Sequence, residues 1–83
     1  MKILLGLLSI VGFLFASVDI NSANQKDFTT LNGVGEKRAS AIIAYRQTNG
    51  CFKAIDELVK VKGISIKIVE KNRDKLNLGE CKN

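Results

Sequence analysis

One pattern occurs twice in this chain, thirty residues apart, and it narrows the possible folds more than any other feature. Asp27-Phe28-Thr29-Thr30-Leu31-Asn32-Gly33-Val34-Gly35-Glu36-Lys37-Arg38-Ala39 lies over Glu57-Leu58-Val59-Lys60-Val61-Lys62-Gly63-Ile64-Ser65-Ile66-Lys67-Ile68-Val69. Phe28 pairs with Leu58, Leu31 with Val61, Gly33 with Gly63, Val34 with Ile64, Lys37 with Lys67 and Ala39 with Val69. Repeats of this period are duplicated supersecondary units that share a core. Two copies are too few for a solenoid, so a compact two-fold pair is expected.

Each copy reads as helix, tight turn, helix. Ser22 followed by Gln25 is a capping-box pattern, and it predicts a short helix over Ala23 to Leu31. Gly33 and Gly35 bracket Val34 and permit backbone angles closed to other residues. A second helix is expected over Glu36 to Thr48, with Ala39, Ile42 and Ile43 on one inward stripe and Asn49-Gly50 ending it. The second copy predicts a short helix near Ile55 to Lys60, a turn at Lys62 to Ser65 and a last helix over Ile66 to Lys75, with Leu76 packing back. No segment alternates long enough to read as a strand. The expected fold is all-α.

Ahead of the repeat, Met1 and Lys2 precede a largely apolar run from Ile3 to Ala16. One basic residue followed by some 7–15 apolar ones has the layout of a secretory signal peptide, and a spanning helix wants about 20. Residues 1–17 are therefore expected to be a leader. Leu14 or Phe15 would then sit where a small residue is usual before the cut, which leaves retention as a short membrane anchor as the alternative. Residues 18–76 are expected to form the domain and 77–83 a polar tail. Export makes sense of Cys51 and Cys81, the chain's two cysteines, because an oxidising compartment favours pairing them. The closed loop of about 30 residues would be worth about 3.5 kcal/mol on a chain-entropy basis. Two free thiols, or a bridge to another chain, are the alternatives. Two cysteines without histidine cannot build a zinc site, and no metal or cofactor is expected. A net charge of +5 in 83 residues suits a polyanion: nucleic acid, an anionic membrane surface or an acidic partner.

Leu31-Asn32-Gly33-Val34-Gly35, followed by Lys37 and Ala39, resembles the hairpin of the helix-hairpin-helix family. Val18-Asp19-Ile20-Asn21-Ser22-Ala23, Ala41-Ile42-Ile43-Ala44-Tyr45-Arg46, Asn49-Gly50-Cys51-Phe52 and Val61-Lys62-Gly63-Ile64 together resemble the C-terminal domain of the ComEA-type competence proteins, over Val18 to Leu76. That resemblance implies a tandem helix-hairpin-helix domain that binds incoming duplex DNA outside the cytoplasmic membrane, without sequence preference, alongside channel or pilus components of the uptake machinery. It also implies two hairpins gripping both strands across one minor groove. The physics suits the role. Side-chain-free turns let backbone N–H groups approach a phosphate, and the following helix start adds partial positive charge.

The residues implied to meet DNA are Gly33, Val34, Gly35, Lys37 and Arg38 in the first hairpin and Lys62, Gly63, Ser65 and Lys67 in the second. Each also has a plainer role. The glycines serve the turn with or without DNA, Val34 and Ile64 are core plugs, and the cations can be solvated surface charge, as Lys53, Lys60, Lys71, Arg73 and Lys75 are expected to be. Arg46 is expected to pack its stem beside Tyr45 or cap its helix, with a distant phosphate contact as the alternative. Two departures bear on this. Asn32 stands where the family often has proline, which suggests a less rigid first turn. Ser65 replaces a glycine and can cap its own helix, which ranks the first hairpin above the second. Some relatives of the fold are base-excision glycosylases, but nothing here offers a base-sized pocket, and two cysteines cannot hold an iron–sulfur cluster; no catalysis is expected. A structural or protein-interaction module of an exported assembly is the competing reading. A secreted membrane-active effector ranks last, for want of a long amphipathic helix.

Overall fold

In the computed structural model, which describes residues 17–81, the first helix starts from Asn24. The Asn24 side chain accepts from the Asp27 N–H at 2.8 Å, and the Asp27 carboxylate accepts from the Asn24 N–H at 3.2 Å. This reciprocal capping box opens α1, Gln25–Phe28, two residues beyond the Ser22 cap expected from sequence. Ser22 is committed elsewhere: its N–H and that of Ala23 both donate to the Asp19 carbonyl, at 3.1 and 2.8 Å, in a turn that precedes the helix. The Thr29 and Thr30 hydroxyls donate back to the Lys26 and Asp27 carbonyls, so α1 ends after one turn. A helix this short stands only through its packing.

The chain then makes its first hairpin and enters α2, Glu36–Asn49. Ala39 and Ile42 face the core as the stripe predicts. Gly50 ends the helix at φ +89°, with its N–H on the Arg46 carbonyl at 2.9 Å. The second copy repeats the plan in a tighter form. A 3₁₀ helix at Ile55–Lys60 stands where α1 stands in the first, and α3 covers Ile66–Asn72 before a 3₁₀ turn at Arg73–Lys75. The last helix is thus shorter than the span to Lys75 expected from sequence.

Two strands of two residues each were not foreseen. β1, Val18–Asp19, pairs in parallel with β2, Leu76–Asn77, matching Val18 to Leu76 and Asp19 to Asn77. Segments of two residues carry no alternation to read. The fold remains all-α in class, with this pair closing the two ends of the domain on each other.

Side chains lock the same closure. One Asp19 carboxylate oxygen accepts the N–H of Asn21 and of Gly79, both at 2.9 Å. Asn21 donates to the Phe52 and Gly79 carbonyls and accepts the Phe52 N–H at 2.7 Å. Cys51 and Cys81 are joined, with Cα atoms 5.4 Å apart, a separation that a disulfide spans. A Cβ at Gly79 would run into the Asp19 carboxylate, so any side chain there pushes the carboxylate off its bonds.

The core takes the paired residues of the repeat. Phe28 and Leu58, Leu31 and Val61, Val34 and Ile64, and Ala39 and Val69 are all buried, with Ile20, Ile42 and Phe52 filling between them. Tyr45 stacks on Phe52 at 5.5 Å. Among the described residues no helix is long and apolar enough to cross a membrane. The leader expected at 1–17 lies outside the described residues except for Ser17.

Candidate nucleic-acid interface

The two turns are built alike, bond for bond. Leu31 N–H donates to the Phe28 carbonyl and Val34 N–H to the Leu31 carbonyl; thirty residues on, Val61 donates to Leu58 and Ile64 to Val61. Gly33 has φ +86° and Gly63 φ +94°, in the left-handed region where side chains are strained. The packing is reciprocal as well. A Cβ at Gly33 would meet Ile68 of α3 at 3.5 Å, and one at Gly63 would meet Arg38 of α2 at 3.5 Å. Positions 38 and 68 are equivalent in the repeat, so each hairpin is covered by the other copy's helix at the same register. That is a two-fold relation read from contacts.

The first hairpin offers free backbone donors. Gly35 caps α2 without any side-chain bond to it, and the first amide to find a helical partner is Ala39, on the Gly35 carbonyl at 2.9 Å. The N–H groups of Glu36, Lys37 and Arg38 therefore lie unspent at the positive end of a 14-residue helix. The turn itself adds another. Asn72 donates to the Asn32 carbonyl at 2.9 Å and accepts the Asn32 N–H at 2.9 Å, and it is completely buried. With the Asn32 carbonyl held inward, the trans peptide turns the Gly33 N–H the opposite way, away from the core. Gly33 and Gly35 are both exposed.

This clamp corrects the expectation that Asn32 loosens the first turn. A proline there would have no N–H for Asn72; asparagine supplies one, and the turn is held through both of its backbone groups. The sequence carried a signal for it. Asn72 occupies the repeat position of Ile42, a polar residue in an apolar slot.

The second hairpin keeps less in reserve. The Ser65 hydroxyl accepts the Ile68 N–H at 3.3 Å, and the Ser65 carbonyl takes the Ile68 and Val69 amides. Serine caps α3 as its position suggests, and only the Ile66 and Lys67 amides stay open.

Charge gathers at one place, between α2 and the second hairpin. Lys37, Arg38, Ala41, Lys62 and Gly63 line an open cleft of about 390 Å³, with three cations and no carboxylate among them. Lys67 holds in the first turn of α3 the register position that Lys37 holds in α2. Val34 brings neither group to the surface: its side chain is 5 % exposed and its N–H is spent on Leu31.

Two arginines named from the sequence have other work. Arg46 donates to the Ile20 and Ala23 carbonyls, both at 2.9 Å, and its guanidinium lies 5.8 Å from the Phe28 ring centroid. It braces the N-terminal segment against α2 and caps no helix. Arg73 bonds Glu70 and Asp56, and its hydrogen bond holds the Glu70 carboxyl below the usual range.

The helix-hairpin-helix motif family matches residues 15–77. The chain is 41 % identical over 63 residues to ComE operon protein 1 of Bacillus subtilis, covering 76 % of this chain and 31 % of that protein. It is 38 % identical over 60 residues to an uncharacterized protein of Haemophilus influenzae, covering 71 % and 54 %. A kinesin-like protein, KIF22 of Xenopus tropicalis, shares 38 % identity over 50 residues, 60 % of this chain and 8 % of its own. The chain thus spans about a third to a half of the two bacterial proteins.

Proposed function

Because the chain belongs to the helix-hairpin-helix family, with a sequence of the ComEA type, we propose that it binds double-stranded DNA by the phosphate backbone, as a receptor for DNA taken up in natural transformation. One observation carries this reading: the unspent amides at the start of α2 adjoin a cleft lined by Lys37, Arg38 and Lys62. Amides and lysines hold phosphates and read no bases, so the binding is general. Gly33, Gly35 and Lys37 form the stronger grip, and Lys62, Gly63, Ser65 and Lys67 the weaker, because Ser65 spends one amide on itself.

The apolar leader and the Cys51–Cys81 bond support action outside the cytoplasmic membrane, in the periplasm or held at the membrane's outer face by residues 1–17. There the protein would pass DNA to channel or pilus components. The protein binds and does not catalyse.

One observation favours a second reading, a protein-interaction module. Ile66 opens α3 at 52 % exposure, and Val59 in the preceding 3₁₀ helix is 41 % exposed. Gel retardation separates the two readings. The chain is expected to retard two duplexes of unrelated sequence equally at moderate salt, and failure to retard either one would leave the interaction module standing.

A further inference from the structure

Arg38 resembles a phosphate ligand by position, yet its guanidinium is already engaged. Its Nε donates to the Gly63 carbonyl at 2.7 Å, a short charge-assisted bond, and its Nη1 faces the Gly33 carbonyl at 3.5 Å. These carbonyls belong to equivalent residues of the two hairpins. One planar fork on α2 therefore reaches both turns. Gly63 takes φ +94°, which favours glycine, and the Arg38 side chain packs against it: a Cβ there would lie 3.5 Å from Arg38 Cγ and Nε, in van der Waals contact. The equivalent residue of the second copy, Ile68, has no such donors, so the tie is made once and from one side.

Resting on the DNA-binding reading above, we propose that Arg38 is a positioning residue that sets the spacing between the two backbone grips. Duplex phosphates stand at fixed intervals, so two grips bind together only when their own separation matches. A cation between two turn carbonyls holds them at one distance and offsets their mutual repulsion. Lys37, Lys62 and Lys67 are left to neutralise phosphates. Lysine cannot replace arginine in this role. Its ammonium is a compact charge on a flexible stem, without a planar fork to span two acceptors.

The test compares the full chain with Arg38→Lys and Arg38→Met. In the free protein both variants should shift the amide resonance of Ile64, whose peptide unit carries the Gly63 carbonyl, while melting stays near wild type. An unmoved resonance overturns the tie without any reference to DNA. On a duplex, both variants should bind about tenfold more weakly, the scale of one lost charge-assisted bond. Affinity for a single-stranded oligonucleotide, whose phosphates adapt to any spacing, should stay unchanged. Wild-type duplex affinity in Arg38→Lys, or an equal loss on single strands, would make Arg38 an ordinary phosphate ligand and overturn the proposal. A wild-type chain that binds no duplex would overturn the functional reading, and the positioning role with it.

Discussion

Asn72 makes three bonds from one buried side chain: to the Asn32 N–H, the Asn32 carbonyl and the Ile68 carbonyl. It was legible only as an oddity in an apolar register, because the two Asn32 groups it holds are forty residues away and sequence spacing does not show them. Asn72→Leu keeps the volume and strands both groups of Asn32. It should destabilise the protein by about 2–4 kcal/mol, as orphaned buried donors and acceptors do, seen as a lower denaturant midpoint. A change under half that size would mean water reaches Asn32. Asp19 belongs to the same scale. Burial pushes its carboxyl up, but bonds from the Asn21 N–H, the Ser22 hydroxyl and the Gly79 N–H, with the Arg46 charge, bring it below the usual range. A carboxyl depressed in the folded state stabilises fully above its unfolded value of about 3.9 and loses that contribution as pH falls through the folded value. Asp19→Asn should therefore flatten the stability profile below about pH 4. An unchanged profile would remove Asp19 from the clasp's electrostatics.

The repeat made the elements legible, because apolar residues at fixed offsets must face one shared core. The paired core positions and both turns follow from it, and α2 follows from its own apolar stripe and the Asn49-Gly50 stop. Boundaries did not, and for a physical reason: where α1 starts depends on how Asp19 folds the chain just before it, and the β1–β2 pair is too short to leave a pattern. Unequal capping distinguishes the two helix starts, Gly35 giving no side-chain bond and Ser65 giving one. Ser65→Ala removes the α3 cap and should cost about 1 kcal/mol of stability, while duplex affinity stays equal, because the Ile68 amide keeps the backbone carbonyl of position 65 as its partner. A marked fall in affinity would show that the Ser65 hydroxyl itself meets DNA. Lys37→Ala should do the reverse, leaving the melting temperature within a degree or two and weakening the duplex complex. Unchanged affinity would remove Lys37 from the grip.

For the molecule as a whole, the clasp and the grip are separate devices. The disulfide, the β1–β2 pair and the Asp19, Asn21 and Gly79 bonds join the two ends of the domain, while Asn72 and Arg38 hold the hairpins. Reduction of Cys51–Cys81 should lower stability by about 3.5 kcal/mol, read in melting curves with and without reductant. Wild-type melting after complete reduction would show that the bond restrains little. Cysteine count and a leader could suggest that bond; the hydrogen-bonded clasp around it was beyond sequence, since Gly79 reads there as an ordinary tail residue. The central claim concerns phosphates. Its most direct test is the salt dependence of duplex affinity for the wild type and for Lys37→Ala with Lys67→Ala. About four neutralised phosphates give a slope of log K against log salt near −3.6, and removing two lysines should bring it to roughly −1.8, alike for unrelated sequences. A slope unchanged by the double substitution, or one that differs between two sequences, would contradict the account.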